Sequence, residues 1–190
     1  MGIKLLPLPE AFRQLVIVMA RIRPARTCRN PNSQAWARYS LKKPRKNYVR
    51  ALPRTSLIVF NMGTPSSSYD LELTLRPEQP IQLRSNALES ARLVTNKYLE
   101  RELAQEYMFK VLVYPHNVIR EHKMAQGAGA DRMSRGMSQA FGRPVSVAAR
   151  IREGQPIFAV RTLKKNRQVA VLALRRAMAK LSGTYRIRAG

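Results

Sequence analysis

Residues 85–105 read SNALESARLVTNKYLERELAQ, and the spacing of their apolar positions constrains what surrounds them. Leu88, Ala91, Thr95, Tyr98 and Glu102 recur every three or four residues, and Ala87, Val94 and Leu99 widen the stripe. Such a stripe is one face of an amphipathic helix turned toward a core. Ser85 stands where a capping hydroxyl would satisfy the first free backbone N–H groups. Glu89, Glu100 and Glu102 place acid on this helix, so its exposed face is a poor match for a polyanion.

Outward from the helix, the periodicity changes from helical to strand-like. On the amino-terminal side YDLELTLR (69–76) alternates, with Leu71, Leu73 and Leu75 on one face and Asp70, Glu72, Thr74 and Arg76 on the other. That pattern predicts a half-buried strand, closed by Pro77 and Pro80. LIVFNM (57–62) predicts another, ended by Gly63-Thr64-Pro65. On the carboxyl side YMFKVLVYP (107–115) predicts a hydrophobic strand, followed by a bend at His116-Asn117 and the short run VIRE. VSVAARI (145–151) and PIFAVRT (156–162) flank Glu153-Gly154-Gln155, which predicts a β-hairpin. Asn166 is placed to cap a last helix over 167–181, with Gly183 ending it and TYRIR (184–188) forming a final strand or tail. Strands, helix, strands, loop, hairpin, helix and strand together predict an α+β fold: a single compact domain with a mixed or antiparallel sheet and two main helices.

The charge narrows the function. The 190 residues carry 35 Lys and Arg against 11 Asp and Glu, a formal net charge of +24. The 45% hydrophobic content is enough for a core. A free enzyme with such a field would bind polyanions without discrimination; the natural counterpart is a row of phosphates, whose neutralisation releases condensed counterions. Two segments concentrate this charge. Residues 19–56 form a proline-punctuated basic arm in which Arg21, Arg23, Arg26, Arg29, Lys42, Lys43, Arg45 and Lys46 are interleaved with Trp36, Tyr39 and Tyr48. Rings that stack on unpaired bases beside cations that meet phosphates suit RNA; a solvated tail is the plainer alternative.

The second segment is KMAQGAGADRMSRGMSQAFGRP (123–144), with glycine at 127, 129, 136 and 142, four cations and one acid. Glycine interrupts every candidate element there. Long loops in compact domains are usually functional or disordered. The segment is expected to be a basic loop reaching into nucleic acid, with Lys123, Arg132 and Arg135 offering donors to phosphate; a surface insertion is the alternative. Extended as a hairpin, ~10 residues a side reach on the order of 30 Å. Asp131 is expected to tie the loop down, by accepting from its own backbone or from Arg132.

Other chemistries find little support. Cys28 is the lone cysteine, so no internal disulfide or thiolate zinc site is expected, and a packed thiol is the simplest role. His116 and His122 do not make a metal site on their own, and no cofactor is expected. GAGA at 127–130 lacks the following Lys-Ser or Lys-Thr of a phosphate loop. Residues 1–18 contain a short apolar run, LVIVMA, broken upstream by Pro7 and Pro9 and far short of a membrane span. They are expected to be a leader, with Met19 a sensible alternative start, and neither a membrane nor a small-molecule substrate is an expected partner. The body is then 57–190, carrying the loop at 123–144.

The runs ALESARLVTNKYL, VIREHKM, GAGADRMSRGMSQAFGRP, VAARIREGQPIFAVRT and ALRRAMAKL closely resemble a large-subunit ribosomal protein family, number sixteen in bacteria and ten-e in the archaeal and eukaryotic branch. The branch looks archaeal, and the match is strongest over about residues 84–182. MARIRPARTCR also resembles the family's usual amino terminus. The resemblance implies an α/β body of the hammerhead type and no enzymatic activity. It implies a cytoplasmic, ribosome-bound protein whose partners are large-subunit ribosomal RNA, tRNA and neighbouring ribosomal proteins. Family members sit beside the aminoacyl-tRNA site with the glycine loop directed toward the peptidyl-transferase centre. Carried onto this chain, Gly127, Gly129, Asp131, Arg132, Met133 and Gly136 are the tRNA-proximal loop. Arg120 lies at its base, and Arg143 matches a basic position. The family's His-Pro-Phe-His run is replaced here by Tyr114-Pro115-His116-Asn117, and Ser138 stands where arginine or glycine is common. A free RNA-binding or chaperone module is the alternative that composition alone supports.

Overall fold

Two antiparallel sheets and two long helices share one core in the computed structural model, which describes residues 23–31, 52–66, 68–124, 127–133, 136–138 and 140–189. The strands are β1 (Asn61–Gly63), β2 (Leu71–Pro77), β3 (Ile81–Arg84), β4 (Tyr107–Val111), β5 (Asn117–Glu121), β6 (Arg143–Ile151), β7 (Phe158–Thr162) and β8 (Tyr185–Ala189). The helices are α1 (Ser85–Leu103), a single turn α2 (Ala130–Met133) and α3 (Arg167–Met178). The larger sheet has the order β1-β4-β7-β2-β8 and the smaller β3-β6-β5. The described residues thus form a compact α+β domain, with every sheet pairing antiparallel.

The helical stripe of α1 is the centre of this core. Leu88, Ala91, Tyr98 and Leu99 are buried and share one apolar cluster with Ala170, Ala173, Leu174 and Ala177 of α3; Thr95 is buried as well, its hydroxyl donating to the Ala91 carbonyl at 2.8 Å. Alanines on α3 let the two helix backbones approach. Strands β2 and β4 complete the cluster through Leu73, Leu75, Phe109 and Val111. Glu102, counted in the predicted stripe, is exposed and pairs with Arg101 at 2.6 Å; Leu103 takes its place in the core. A carboxylate next to an arginine stays in water because burying it would cost far more than its pairing returns.

Several predicted details change. VSVAARI and PIFAVRT are strands, but not a hairpin: β6 pairs with β3 and β5, whereas β7 pairs with β2 and β4. The glycine turn at 154 hands the chain from one sheet to the other, and each strand pairs with other strands. IQLR, directly after Pro80, is β3, a strand that was not expected. The strand expected at 57–62 pairs only as β1, while Leu57 is fully buried in the core. The strand expected at 107–115 ends at Val111, and the bend expected at His116-Asn117 already contains the first residue of β5. Neither expected cap closes its helix. Arg84 holds the position before α1, and Ser85 instead accepts a hydrogen bond from Ser56 at 3.1 Å. Asn166 turns its amide to Glu106 (3.4 Å). The glycine segment holds a helical turn, α2, that its sequence did not suggest. The leader at 1–18 and most of the basic arm lie outside the described residues.

Beneath the amino-terminal strap, residues 23–31, lies a buried polar clasp. Gln82 donates from its side chain to the Cys28 carbonyl (2.9 Å) and from its backbone to the Arg29 carbonyl (2.8 Å). Asn117 donates to the Gln82 side-chain oxygen at 2.6 Å, and both residues are at most 3% exposed. Leaving one half of such a pair without its partner costs roughly 1–3 kcal/mol. Asn117→Leu is therefore expected to destabilise by that amount, and Gln82→Leu/Asn117→Leu by less than the sum of the single changes. A double-mutant cycle in urea checks this; strict additivity would contradict the clasp.

Candidate nucleic-acid interface

The glycine loop is held at its base by two adjacent strands. It leaves β5 at Glu121 and re-enters β6 at Arg143, and these two residues are cross-strand partners. A register shift between Ile119 and Arg120 bends the pair just before the loop opens, the usual effect of a bulge. Arg120 then clamps the return strand. Its guanidinium donates to the Gly142 carbonyl at 2.6 and 3.1 Å and to the Phe141 carbonyl at 3.3 Å, and lies 4.0 Å from the Phe141 ring centroid. A planar cation can serve carbonyls and an aromatic face together.

Gly142 makes this clamp possible. Its φ is +73°, and a Cβ there would stand 2.6 Å from the Glu121 carbonyl carbon and 2.7 Å from the His122 nitrogen. Only glycine fits so close to another backbone. Farther out, His122 Nε2 lies 2.6 Å from the Gly136 carbonyl and ties the loop across itself. Gly127 and Gly129 accept the N–H groups of Ala130 and Arg132 at 3.2 and 3.1 Å, which starts the turn α2.

The chemistry exposed on this scaffold is cationic and soft. Lys123, Arg132 and Arg143 are exposed. Met133 is 86% and Met137 67% exposed, and Met124 is also exposed. Met133 was placed in the tRNA-proximal loop by the resemblance, whereas Met124 and Met137 were not singled out from the sequence. Their signal was there: three long apolar residues in a glycine-rich run with no period to bury them. Flexible thioethers adapt to irregular surfaces, so the loop offers apolar contact as well as charge.

The strap meets the loop at its root. Arg23 Nε lies 2.7 Å from Glu121 Oε1, and Arg143 is the cross-strand partner of Glu121. Arg26 and Arg29 follow on the strap and are exposed. The fold thus gathers Arg23, Arg120, Arg143 and the loop at one end of the smaller sheet. Arg21, Lys42, Lys43, Arg45, Lys46 and Arg135 lie outside the described residues. Asp131 belongs to α2.

Cys28 is buried, and burial pushes its thiol pKa up. A protonated, enclosed thiol is a poor nucleophile, in keeping with a packing role. Among the described residues there is no cluster of His, Cys, Asp or Glu suited to a metal, and no helix long and apolar enough to cross a membrane.

An antiparallel α+β body that holds out a basic, glycine-jointed loop beside a basic strap defines a class of small cationic proteins built for surface contact. The chain belongs to the Ribosomal protein L16p/L10e family, whose model matches residues 36–188. It is 43% identical over 150 residues to the large ribosomal subunit protein uL16 of Archaeoglobus fulgidus, covering 78% of this chain and 86% of that one. It is 45% identical over 145 residues to the protein of the same name from Hyperthermus butylicus, covering 76% and 81%. The corresponding protein of Methanococcus aeolicus is 42% identical over 161 residues, covering 84% and 89%. These relatives are archaeal, as the resemblance implied.

Proposed function

We propose that this chain is a structural constituent of the large ribosomal subunit that binds large-subunit ribosomal RNA through its strap and glycine loop. The loop lies beside the aminoacyl-tRNA site and extends toward the peptidyl-transferase centre, where tRNA is its second partner. The observation that carries this reading is the loop itself: exposed cations and methionines beyond a base locked by Arg120 and Gly142. A locked base and an exposed tip let a loop reach a partner without losing its direction. Arg120, with its guanidinium on its own chain's carbonyls, acts as a positioning residue, whereas Arg132, Arg135, Lys123 and Arg143 meet phosphate. The body contributes shape and charge, not a reaction.

Sedimentation tests the reading. In cell extracts at physiological salt the chain is expected in the large-subunit fraction; a chain that stays at the top of the gradient would sink the proposal. A sharper test is Arg132→Gln/Arg135→Gln. Neutralising surface loop residues is expected to change folding stability by under about 0.5 kcal/mol, while subunits assembled with the variant lose peptide-synthesis activity. A large drop in the thermal midpoint of the isolated variant would mean that these arginines hold the fold instead.

A further inference from the structure

The face of the five-stranded sheet turned away from α1 and α3 carries its own charge pattern. Lys110, Ala159, Thr74 and Arg188 are successive cross-strand partners on β4, β7, β2 and β8. Partners in a sheet share a face, so these four side chains form one row. Adjacent strands lie ~4.8 Å apart, which sets the two end cations on the order of 14 Å apart. Between them are only Ala159 and Thr74, small residues each 5% exposed. Arg76 leans in beside them, with Nε 3.2 Å from the Thr74 hydroxyl.

The acids nearby offset this charge only in part. Glu72 is taken by Arg161 at 2.9 Å and Glu78 by Arg186, while Glu153 lines the same hollow as Arg76 and Arg188. Lys110 and Arg188 have no carboxylate partner among the described residues, and Arg76 meets only the Thr74 hydroxyl and the Gly154 carbonyl. Three cations against one further carboxylate, Glu153, therefore rise around two small residues. The row holds no aromatic anchor of the kind that carries protein–protein affinity. Its net positive charge on long side chains suits a flexible polyanion.

We propose that this outer sheet face is a second RNA-binding surface, on which Lys110, Arg76 and Arg188 hold the phosphates of one RNA strand passing above Ala159 and Thr74. The proposal rests on the ribosomal reading above and extends it. The loop springs from the smaller sheet and this surface belongs to the larger one, so the domain bridges two RNA segments.

The test uses the full chain and protein-free large-subunit ribosomal RNA, with binding measured across a salt series. Each phosphate contact contributes about 0.7–0.9 to the slope of log affinity against log salt. Lys110→Gln/Arg188→Gln is expected to lower that slope by about 1.5. Lys97→Gln/Arg101→Gln, on the acid-bearing face of α1, removes the same charge and is expected to lower it by less than about 0.5. An unchanged slope in the first variant, or an equal fall in both, overturns the proposal. In assembled subunits, a benzophenone side chain in place of Leu112, which is exposed beside Lys110, is expected to cross-link to ribosomal RNA. Cross-linking to a neighbouring protein instead also overturns it. If the wild-type chain does not sediment with large subunits, the ribosomal reading fails; if it does and the slopes do not separate, this surface alone fails.

Discussion

Phe109→Ala is expected to lower folding stability by roughly 3–5 kcal/mol, the range for truncating a buried aromatic. Phe109 is fully buried on β4, on the inner face of the larger sheet, and meets Phe158 of the central strand β7 edge-on with ring centroids 5.4 Å apart. Removing the ring takes apolar area out of the core and breaks an aromatic pair worth about 0.5–1.5 kcal/mol beyond its area. A domain of this size is stable by only ~5–15 kcal/mol in total, so the variant sits near the edge of folding. Its thermal midpoint is expected to fall by on the order of 10 °C. Phe109→Leu, which keeps most of the volume, is expected to cost much less. Thermal and urea unfolding of the two variants checks this, and a loss below about 1 kcal/mol for the alanine would mean that β4 is not at the core.

The second large effect is expected at Gly142. Gly142→Ala puts a methyl group 2.6–2.7 Å from the Glu121 carbonyl and the His122 nitrogen, at a φ of +73°. The left-handed backbone costs an alanine ~1–2 kcal/mol, and crowding against backbone that cannot step aside costs about 1–3 more. Because Gly142 sits at the root of the loop, the strain is expected to be relieved by opening the β5–β6 pair there, before the core yields. Hydrogen exchange should show lost protection at Glu121 and Arg143, and reconstituted subunits should lose activity. Gly129→Ala is the control: its φ is +78°, but nothing lies within 4 Å of the new methyl, so it bears the backbone cost alone. Equal behaviour of the two variants would show that the close approach at Gly142 is unimportant.

The elements that could be read in advance are those whose stability is local. The stripe of α1 and the alternation of β2 are set by side-chain period, which the chain carries within itself. Strand partnership is not local. Glu153-Gly154-Gln155 has the chemistry of a hairpin turn, yet β6 and β7 part there because the core needs them in different sheets. IQLR escaped notice because a four-residue strand bearing a buried Gln82 shows little alternation; its glutamine is inside only because Asn117 and the strap carbonyls satisfy it. At the candidate interface, charge and glycine content marked the loop. Nothing in the sequence indicated that Arg120 would turn back onto Gly142, since that depends on a bulge two strands must make together. The outer sheet row was equally invisible, because Lys110, Thr74, Ala159 and Arg188 are far apart in the chain and meet only through register.

On the proposed function, the loop is an outward-facing cationic projection that ends against RNA. Placing a benzophenone-bearing residue at Met133, 86% exposed on α2, and irradiating sedimented large subunits tests this most directly. Cross-links to large-subunit ribosomal RNA or to bound tRNA are the result expected. Cross-links confined to the chain's own body would contradict it.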